Sequence, residues 1–302
     1  MHHGWIILDK PYGLGSTQAV AAVKRNLREA GLSGRGKDKV KVGHGGTLDP
    51  LATGVLPIAL GEATKLTGQM LNARKAYEFT IGFGTETDTL DSEGRIVGQS
   101  DVRPTPDAIE AVLSRFTGTI DQVPPAFSAL KVDGKRAYDL ARAGETVELA
   151  GRCVTIYDLS ICHARSEGES VTLSALVSKG TYIRSIARDI AYALDTVGHV
   201  TMLRRTQAGP FGLAQAISLD KLNEIGQGAA LEDIILPLEA GLDDIPALTL
   251  NPDQARRLRQ GQVVTGIAEE DGRYWARDGE ETPLALVSAE DGNIRVLRGF
   301  NV

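Results

Sequence analysis

The residues with the clearest chemical potential lie in a glycine-rich loop, GHGGTLDPLATG, at residues 43–54. Its aspartate, Asp49, precedes a proline, and such a carboxylate can act as a nucleophile, move a proton or cap a helix. Glycines permit positive φ angles and let a ligand approach the backbone closely. The flanking His44 and Thr47 add hydrogen-bonding groups, which are typical of binding loops. Both a capping and a catalytic role for Asp49 are open at this point.

Two further segments carry side chains suited to work beside a carboxylate. Arg184 lies in SKGTYIRSIARDI, where a strand is predicted to pass into a helix. If it meets Asp49, its guanidinium keeps that carboxylate ionised; the alternative is an arginine in a structural ion pair. Tyr77, in KAYEF, is predicted on a strand. It either fills a core or stacks on a base and moves a proton.

Apolar periodicity predicts the elements that position these residues. Helices and strands are mixed without a regular βαβ rhythm, which favours an α+β fold over a doubly wound sheet. The predicted elements are a strand at 5–8, a helix capped by Ser16 or Thr17 and ending near Gly31, strands from Ala76 and at 171–178, and helices at 183–194 and 254–260.

Charge and cysteine content narrow the function classes. The net charge is −6, but residues 1–48 hold eight Lys or Arg against three acids, whereas residues 215–302 hold eight against sixteen. The amino-terminal segment can therefore meet phosphates, although a solvated basic face is the plainer alternative. The two cysteines, Cys153 and Cys162, lack CxxC spacing, and no apolar run approaches the ~20 residues of a membrane span. These features predict a cytoplasmic chain without a metal site.

Four longer strings, in this order, resemble a known family. They are GHGGTLDPLATGVLPIALGEATK, KAYEFTIGFGTETDTLDSEG, PPAFSALKVDGKRAYDLAR and SKGTYIRSIARDI, and LDKPYG precedes them. The resemblance is to bacterial tRNA pseudouridine synthase B, the TruB family, over about residues 5–212. It implies a catalytic domain at 1–245 with a mixed, largely antiparallel central sheet flanked by helices. A small β-rich, PUA-like RNA-binding domain is implied at 246–302.

The resemblance also implies a reaction and residue roles. The T-loop uridine of tRNA, at position 55, would be flipped out and isomerised to pseudouridine without metal or cofactor. Asp49 matches the nucleophile, Tyr77 the tyrosine that stacks on the base and helps to remove the C5 proton, and Arg184 the arginine beside the aspartate. The implied substrate-binding residues are His44, Gly45, Gly46, Thr47, Leu203, Lys10 and Lys41. The implied partner is the tRNA T-arm alone, bound by a monomer without a protein partner or a membrane.

Three alternatives stay open beside this interpretation. One is a non-catalytic RNA chaperone on the same scaffold, and another is an RNA-guided synthase of the same superfamily, which would carry longer extensions and a fuller PUA module. The third is an Asp-dependent hydrolase or phosphotransferase, which would need metal-binding acids or a phosphate loop. Within the TruB interpretation, Asp49 attacks either C6 of uracil or C1′ of ribose, since both routes use the same residue.

Overall fold

The computed structural model describes residues 2–36, 39–128, 130–132, 134–145, 149–164, 168–226 and 229–302. Lys37 and Asp38 of the basic amino-terminal segment lie outside these ranges. The α-helices among the described residues are α1 (Ser16–Glu29), α2 (Thr67–Asn72), α3 (Pro106–Leu113), α4 (Ala137–Arg142), α5 (Ile183–Ala193), α6 (Leu219–Gly226) and α7 (Pro252–Arg259).

Strands supply the larger part of the regular structure, so the predicted α+β class is confirmed. They are β1 (Gly4–Lys10), β2 (Val42–His44), β3 (Thr53–Leu60), β4 (Lys75–Phe83), β5 (Thr85–Thr87), β6 (Ile96–Gln99), β7 (Gly118–Gln122), β8 (Lys131–Val132), β9 (Lys135–Arg136), β10 (Arg152–Ala164), β11 (Ser170–Val177), β12 (Gly198–Ala208), β13 (Phe211–Gly212), β14 (Ile217–Ser218), β15 (Leu236–Pro237), β16 (Ala247–Thr249), β17 (Val264–Thr265), β18 (Gly272–Arg277), β19 (Pro283–Glu290) and β20 (Asn293–Gly299).

The chain divides into two compact units that interleave along the sequence. The first comprises Met1–Asp49, Gly54–Leu71 and Ala208–Val302, and the second comprises Pro50–Thr53 and Asn72–Gln207. The predicted domain boundary at residue 245 stays a prediction. Each unit is held by its own apolar clusters, and the candidate site residues are distributed over both.

In the first unit, β1 lies between β3, which is antiparallel to it, and β14, which is parallel. The apolar residues of α1 that recur every three or four positions, Val20, Val23 and Leu27, pack under this sheet with Ile6 and Leu8. Helix α1 extends from residue 16 to residue 29, as the periodicity predicted to within two residues.

The carboxy-terminal part of the first unit has a sheet of its own, in the order β16-β18-β19-β20-β17. Its core includes Leu258 of α7, and this helix begins at a capping box in which the Asn251 side chain accepts the Gln254 N–H. The predicted β-rich module is therefore present. It is anchored in the unit because Phe300 and Leu286 share an apolar cluster with Trp5.

The second unit is built on an antiparallel run of strands, β4-β11-β10-β7, with β12 beside β4. Strand β11 alternates buried and half-buried residues, and it confirms the strand predicted at 171–178 to within one residue. Helix α5 packs on this sheet through Ile183, Ile186 and Ile190, whose spacing predicted one apolar helix face. The strand pairings form a mixed, largely antiparallel sheet, as the family resemblance implied.

Among the described residues, no helix is both long and apolar enough to cross a membrane.

Candidate active site

The loop that carries Asp49 is closely packed in the first unit. It leaves β2 at His44, and the Gly45 N–H donates to the Pro57 carbonyl at 2.8 Å. A Cβ atom on Gly45 would lie 2.7 Å from Cβ of Met70, and Gly46 has a φ of +139°. Both positions therefore require glycine, one for space and one for backbone conformation.

Asp49 is half-buried and follows a residue whose backbone is fixed by a side chain of α1. The Ser16 hydroxyl donates to the Leu48 carbonyl at 2.8 Å, and the same oxygen accepts the Leu48 N–H at 2.8 Å. Ser16 was predicted as a helix cap, but Gly15 is the N-cap residue of α1. The hydroxyl is instead used to hold the aspartate loop, a long-range contact that local rules do not indicate.

The structure also shows the backbone conformation that follows the Asp-Pro pair. Pro50 and Leu51 form a turn, and the chain then enters β3 at Thr53. No helix begins at Pro50, because the chain passes from this turn to a strand, and the capping and catalytic roles of Asp49 both stay predictions.

The other predicted ligands of the first unit differ in exposure. Lys41 and Thr47 are exposed, and His44 is half-buried. Lys10 is fully buried, and its Nζ donates to the carbonyls of Pro11 at 3.0 Å and Leu14 at 2.6 Å. Its ammonium thus stabilises the Pro/Gly turn that follows β1, while the predicted substrate-binding role of Lys10 stays untested.

In the second unit, Arg184 occupies the first turn of α5 and is buried. Its Nη1 donates to the Thr89 carbonyl at 2.8 Å and lies 3.4 Å from Oδ2 of Asp91. Its Nη2 donates to the Phe127 carbonyl at 3.2 Å. Two separate segments, residues 89–91 and residue 127, therefore converge on one guanidinium, which fixes its plane and direction.

Asp91 is the residue of this arrangement that sequence reasoning missed. Its Oδ1 accepts the Thr89 hydroxyl at 2.6 Å and the Glu93 N–H at 3.1 Å, so the carboxylate is itself held in place. The available signal was an acid inside the string GTETDTLDSEG. Nothing in its spacing from Arg184 indicates that the two residues meet.

Tyr77 and Leu203 are both half-buried and pack against the same apolar cluster as α5. The second unit thus brings Tyr77, Leu203 and the helix of Arg184 onto one core. The segment after Asp49 also belongs to this unit: the Thr53 hydroxyl donates to the Leu203 carbonyl at 3.5 Å. His44, Gly45, Gly46, Thr47, Lys10, Lys41 and Asp49 belong to the first unit.

A group of cations surrounds the start of β4, two residues before Tyr77. Burial, together with the positive charges of Arg205 and Lys179, lowers the pKa of Lys75 to about 8. The Lys75 ammonium donates to the Ala73 carbonyl at 2.7 Å, and Lys179 donates to the Asn72 side chain at 2.9 Å. The field at this end of β4 is therefore positive and favours anions.

Of the exposed carboxy-terminal arginines, some pair with an acid and others lie on β20. Arg256 forms an ion pair with Asp253 at 2.9 Å, and Arg259 forms one with Asp278 at 2.7 Å. Arg295 and Arg298 lie exposed on β20. Strand β20 is therefore the better candidate for a basic surface on this module. Among the described residues, no three His, Cys, Asp or Glu side chains cluster in a way that could hold a metal ion.

Comparison with protein-family models gives two adjoining matches. Residues 35–183 match the N-terminal domain of TruB family pseudouridylate synthases, and residues 184–243 match the tRNA pseudouridylate synthase B C-terminal domain. Residues 246–302 lie beyond both matches, so the PUA-like character of the β-rich module stays a prediction.

Several curated relatives match along the whole chain. Two proteins named tRNA pseudouridine synthase B, from Novosphingobium aromaticivorans and Zymomonas mobilis, are 67% and 58% identical to it. The matches cover 100% and 99% of this chain and 98% and 96% of the relatives. A third relative of the same name, from Rhodospirillum rubrum, is 45% identical over 99% of this chain and 97% of its own length.

Solved structures share the fold. An archaeal box H/ACA sRNP Nop10-Cbf5 complex contains a chain with a TM-score of 0.72 and 25% identity, covering 99% of this chain and 86% of that one. A Cbf5-Nop10-Gar1 complex gives a TM-score of 0.71 and 26% identity, covering 99% of this chain and 84% of that one.

Proposed function

Because this chain belongs to the TruB family of tRNA pseudouridine synthases, we propose that it modifies the T-loop uridine at position 55 with Asp49 as the nucleophile. Membership makes the chain an enzyme, an isomerase that forms pseudouridine in tRNA. We propose in addition which uridine is modified, which residue is the nucleophile, and that the base is flipped out to reach that residue.

The chemistry of the isomerisation suits a carboxylate. The N1–C1′ bond breaks, the uracil turns, and C5 joins C1′; the C5 proton leaves to a base and N1 ends protonated. Nothing is oxidised and no group is imported, so the atoms balance without a cofactor. An ionised Asp49 can add to C6 or to C1′ and then leave.

The observation that carries the assignment of Asp49 is the rigidity of its loop. Leu48, the residue before Asp49, is held through both backbone polar groups by Ser16, and Gly45 in the same loop packs against Met70. A half-buried carboxylate on such a support is oriented before substrate arrives, which is what a nucleophile needs.

Tyr77 and Arg184 complete the proposed catalytic set. Tyr77 stacks on the target base and takes part in removing the C5 proton. Arg184 supplies positive charge to the anionic reaction centre, and its buried guanidinium, held by three residues of the second unit, is consistent with a fixed catalytic arginine.

The substrate we propose is the T-arm stem-loop of tRNA, bound by a cytoplasmic monomer without a guide RNA or a protein partner. The target base lies inside a folded arm, and so it is flipped out at a cost of a few kcal/mol, offset by stacking and backbone contacts. Exposed Lys41 and the half-buried His44 flank the aspartate loop and are assigned to holding the nucleotide.

The test is tritium release from a T-arm transcript labelled at C5 of uridine, using purified protein and EDTA without nucleotides. We expect stoichiometric release with the natural sequence and none when position 55 is cytidine. Asp49→Asn should abolish release but keep tRNA binding, whereas Asp107→Asn, at an exposed aspartate in the first turn of α3, should be fully active.

Two outcomes would overturn the proposal. Residual activity of Asp49→Asn within about tenfold of the unmodified protein would remove the nucleophile assignment, because a covalent step contributes far more than that. Tritium release that begins only after a guide RNA is added would move the protein to the RNA-guided class.

A further inference from the structure

The start of α5 is held by a buried glutamine from β7. Gln122 is fully buried, and its Oε1 accepts the Tyr182 N–H at 2.8 Å. Its Nε2 donates to the Tyr182 carbonyl at 3.1 Å. Tyr182 is the N-cap residue of α5, so one carboxamide pairs with both backbone polar groups at the point where the helix begins.

Neighbouring residues extend this support. Arg152 is the register partner of Gln122 on β10, and its guanidinium lies over the Tyr182 ring at 4.8 Å. The carbonyl of Val123 accepts the Ser185 hydroxyl at 2.8 Å and the Arg188 Nη2 at 3.1 Å. The end of β7 therefore contacts the first two turns of α5 at several points, with Gln122 at the first of them.

We propose that Gln122 is a positioning residue for pseudouridine formation. By fixing the backbone at Tyr182, its carboxamide sets the origin of the Arg184 side chain, which leaves the helix two residues later. This inference rests on the catalytic role proposed above for Arg184.

The physical reason lies in the geometry of the helix start. The guanidinium of Arg184 is held by Asp91, Thr89 and Phe127, but those contacts reach only the far end of the side chain. The near end moves with the first turn of α5. A displacement of about 1 Å at a catalytic group can lower a rate about 100-fold. An apolar side chain of similar size would fill the space of Gln122 but leave the Tyr182 N–H and carbonyl without this partner.

The first measurement is the single-turnover rate of Gln122→Met with excess protein, together with its Kd for tRNA. We expect the rate to fall about 10- to 100-fold and the Kd to stay within about twofold, because the residue acts on the reacting geometry. Gln122→Glu keeps an acceptor for the Tyr182 N–H, and so its rate should fall less than that of Gln122→Met. It replaces Gln122→Met in this measurement if that variant does not fold. Thr119→Val, on the same strand but at an exposed threonine, is the control and should be fully active.

A double-mutant cycle separates positioning from a general structural role. If Gln122 acts through Arg184, adding Gln122→Met to Arg184→Lys should slow the reaction by less than about twofold more. If the rate losses of the two single variants multiply in the double variant, the inference about Gln122 is wrong. It is also wrong if Gln122→Met and Gln122→Glu keep the full rate while Arg184→Lys is slow. Either result leaves the proposed role of Arg184 intact. A fully active Arg184→Lys would overturn the proposed role of Arg184 and this inference with it.

Discussion

The guanidinium of Arg184 and the carboxylate of Asp91 form an ion pair at 3.4 Å, in which the two side chains are only 8% and 13% exposed. Asp91 is held in turn by the Thr89 hydroxyl and the Glu93 N–H. A buried pair of this kind contributes little net stability, but removing one partner leaves the other charge uncompensated. The relationship therefore makes Asp91 a determinant of where Arg184 points.

Asp91→Asn should lower the single-turnover rate at least tenfold and reduce the free energy of unfolding by about 3 kcal/mol, because it removes a carboxylate that pairs with a buried guanidinium. The measurements are tritium release and urea unfolding. Asp189→Asn removes the partner of Arg188 on the same helix and serves as the control; its rate should stay near that of the unmodified protein. Equal effects of the two changes would contradict a specific role for Asp91.

Gly45→Ala should destabilise the aspartate loop. The new methyl group would lie 2.7 Å from Met70, and relieving such an overlap costs about 1–3 kcal/mol. We expect a lower melting temperature and slower tritium release, since the displaced loop carries Asp49. Gly43→Ala is the matched control, because a Cβ there meets no atom within 4 Å. If the two alanine variants have the same melting temperature, the proposed packing constraint is wrong.

Lys75 predicts a pH dependence of stability. Its pKa is lowered from 10.5 to about 8, chiefly by burial, so between these pH values the unfolded chain binds a proton that the folded chain does not. The free energy of unfolding contributed by this group therefore rises with pH across that window.

Urea unfolding at pH 8, 9 and 10 tests this dependence. Relative to Lys75→Met, the unmodified protein should gain on the order of 2–3 kcal/mol across the window. The exposed Lys39 provides the comparison: Lys39→Met should track the unmodified protein at every pH. A constant difference between Lys75→Met and the unmodified protein would rule out the lowered pKa.

We predict that Arg298 is a point of contact between the carboxy-terminal module and tRNA. It is exposed on β20 and has no acidic partner within the described part of the chain, whereas Arg256 is paired with Asp253. Arg298→Ala should weaken tRNA binding severalfold and lower the slope of log Kd against log salt by about 1. Arg256→Ala should leave both unchanged. Filter binding at several salt concentrations would show this, and identical slopes for all three proteins would count against a phosphate contact on β20.

Much of the local structure could be predicted from the sequence because its causes are local. The three- and four-residue spacing of Ile183, Ile186 and Ile190 predicted α5, since this pattern indicates a single buried helix face. The strand predicted at 171–178 is β11. The prediction of the N-cap of α1 was wrong: Ser16 or Thr17 was expected, and Gly15 is the N-cap residue. That error arose because the Ser16 hydroxyl is taken by Leu48, a residue distant in sequence.

By itself, the sequence determined the α+β class, the principal helices and strands, and the family to which the chain belongs. Family motifs and apolar periodicity can be recognised in the sequence because each depends on residues that are close together along the chain. Tertiary structure alone decided that Asp91 pairs with Arg184, that Ser16 holds the aspartate loop, and that Gln122 holds the start of α5. These pairs are separated by about 30 to 90 residues, and only packing of the strands and helices brings their polar groups within hydrogen-bonding or ion-pair range.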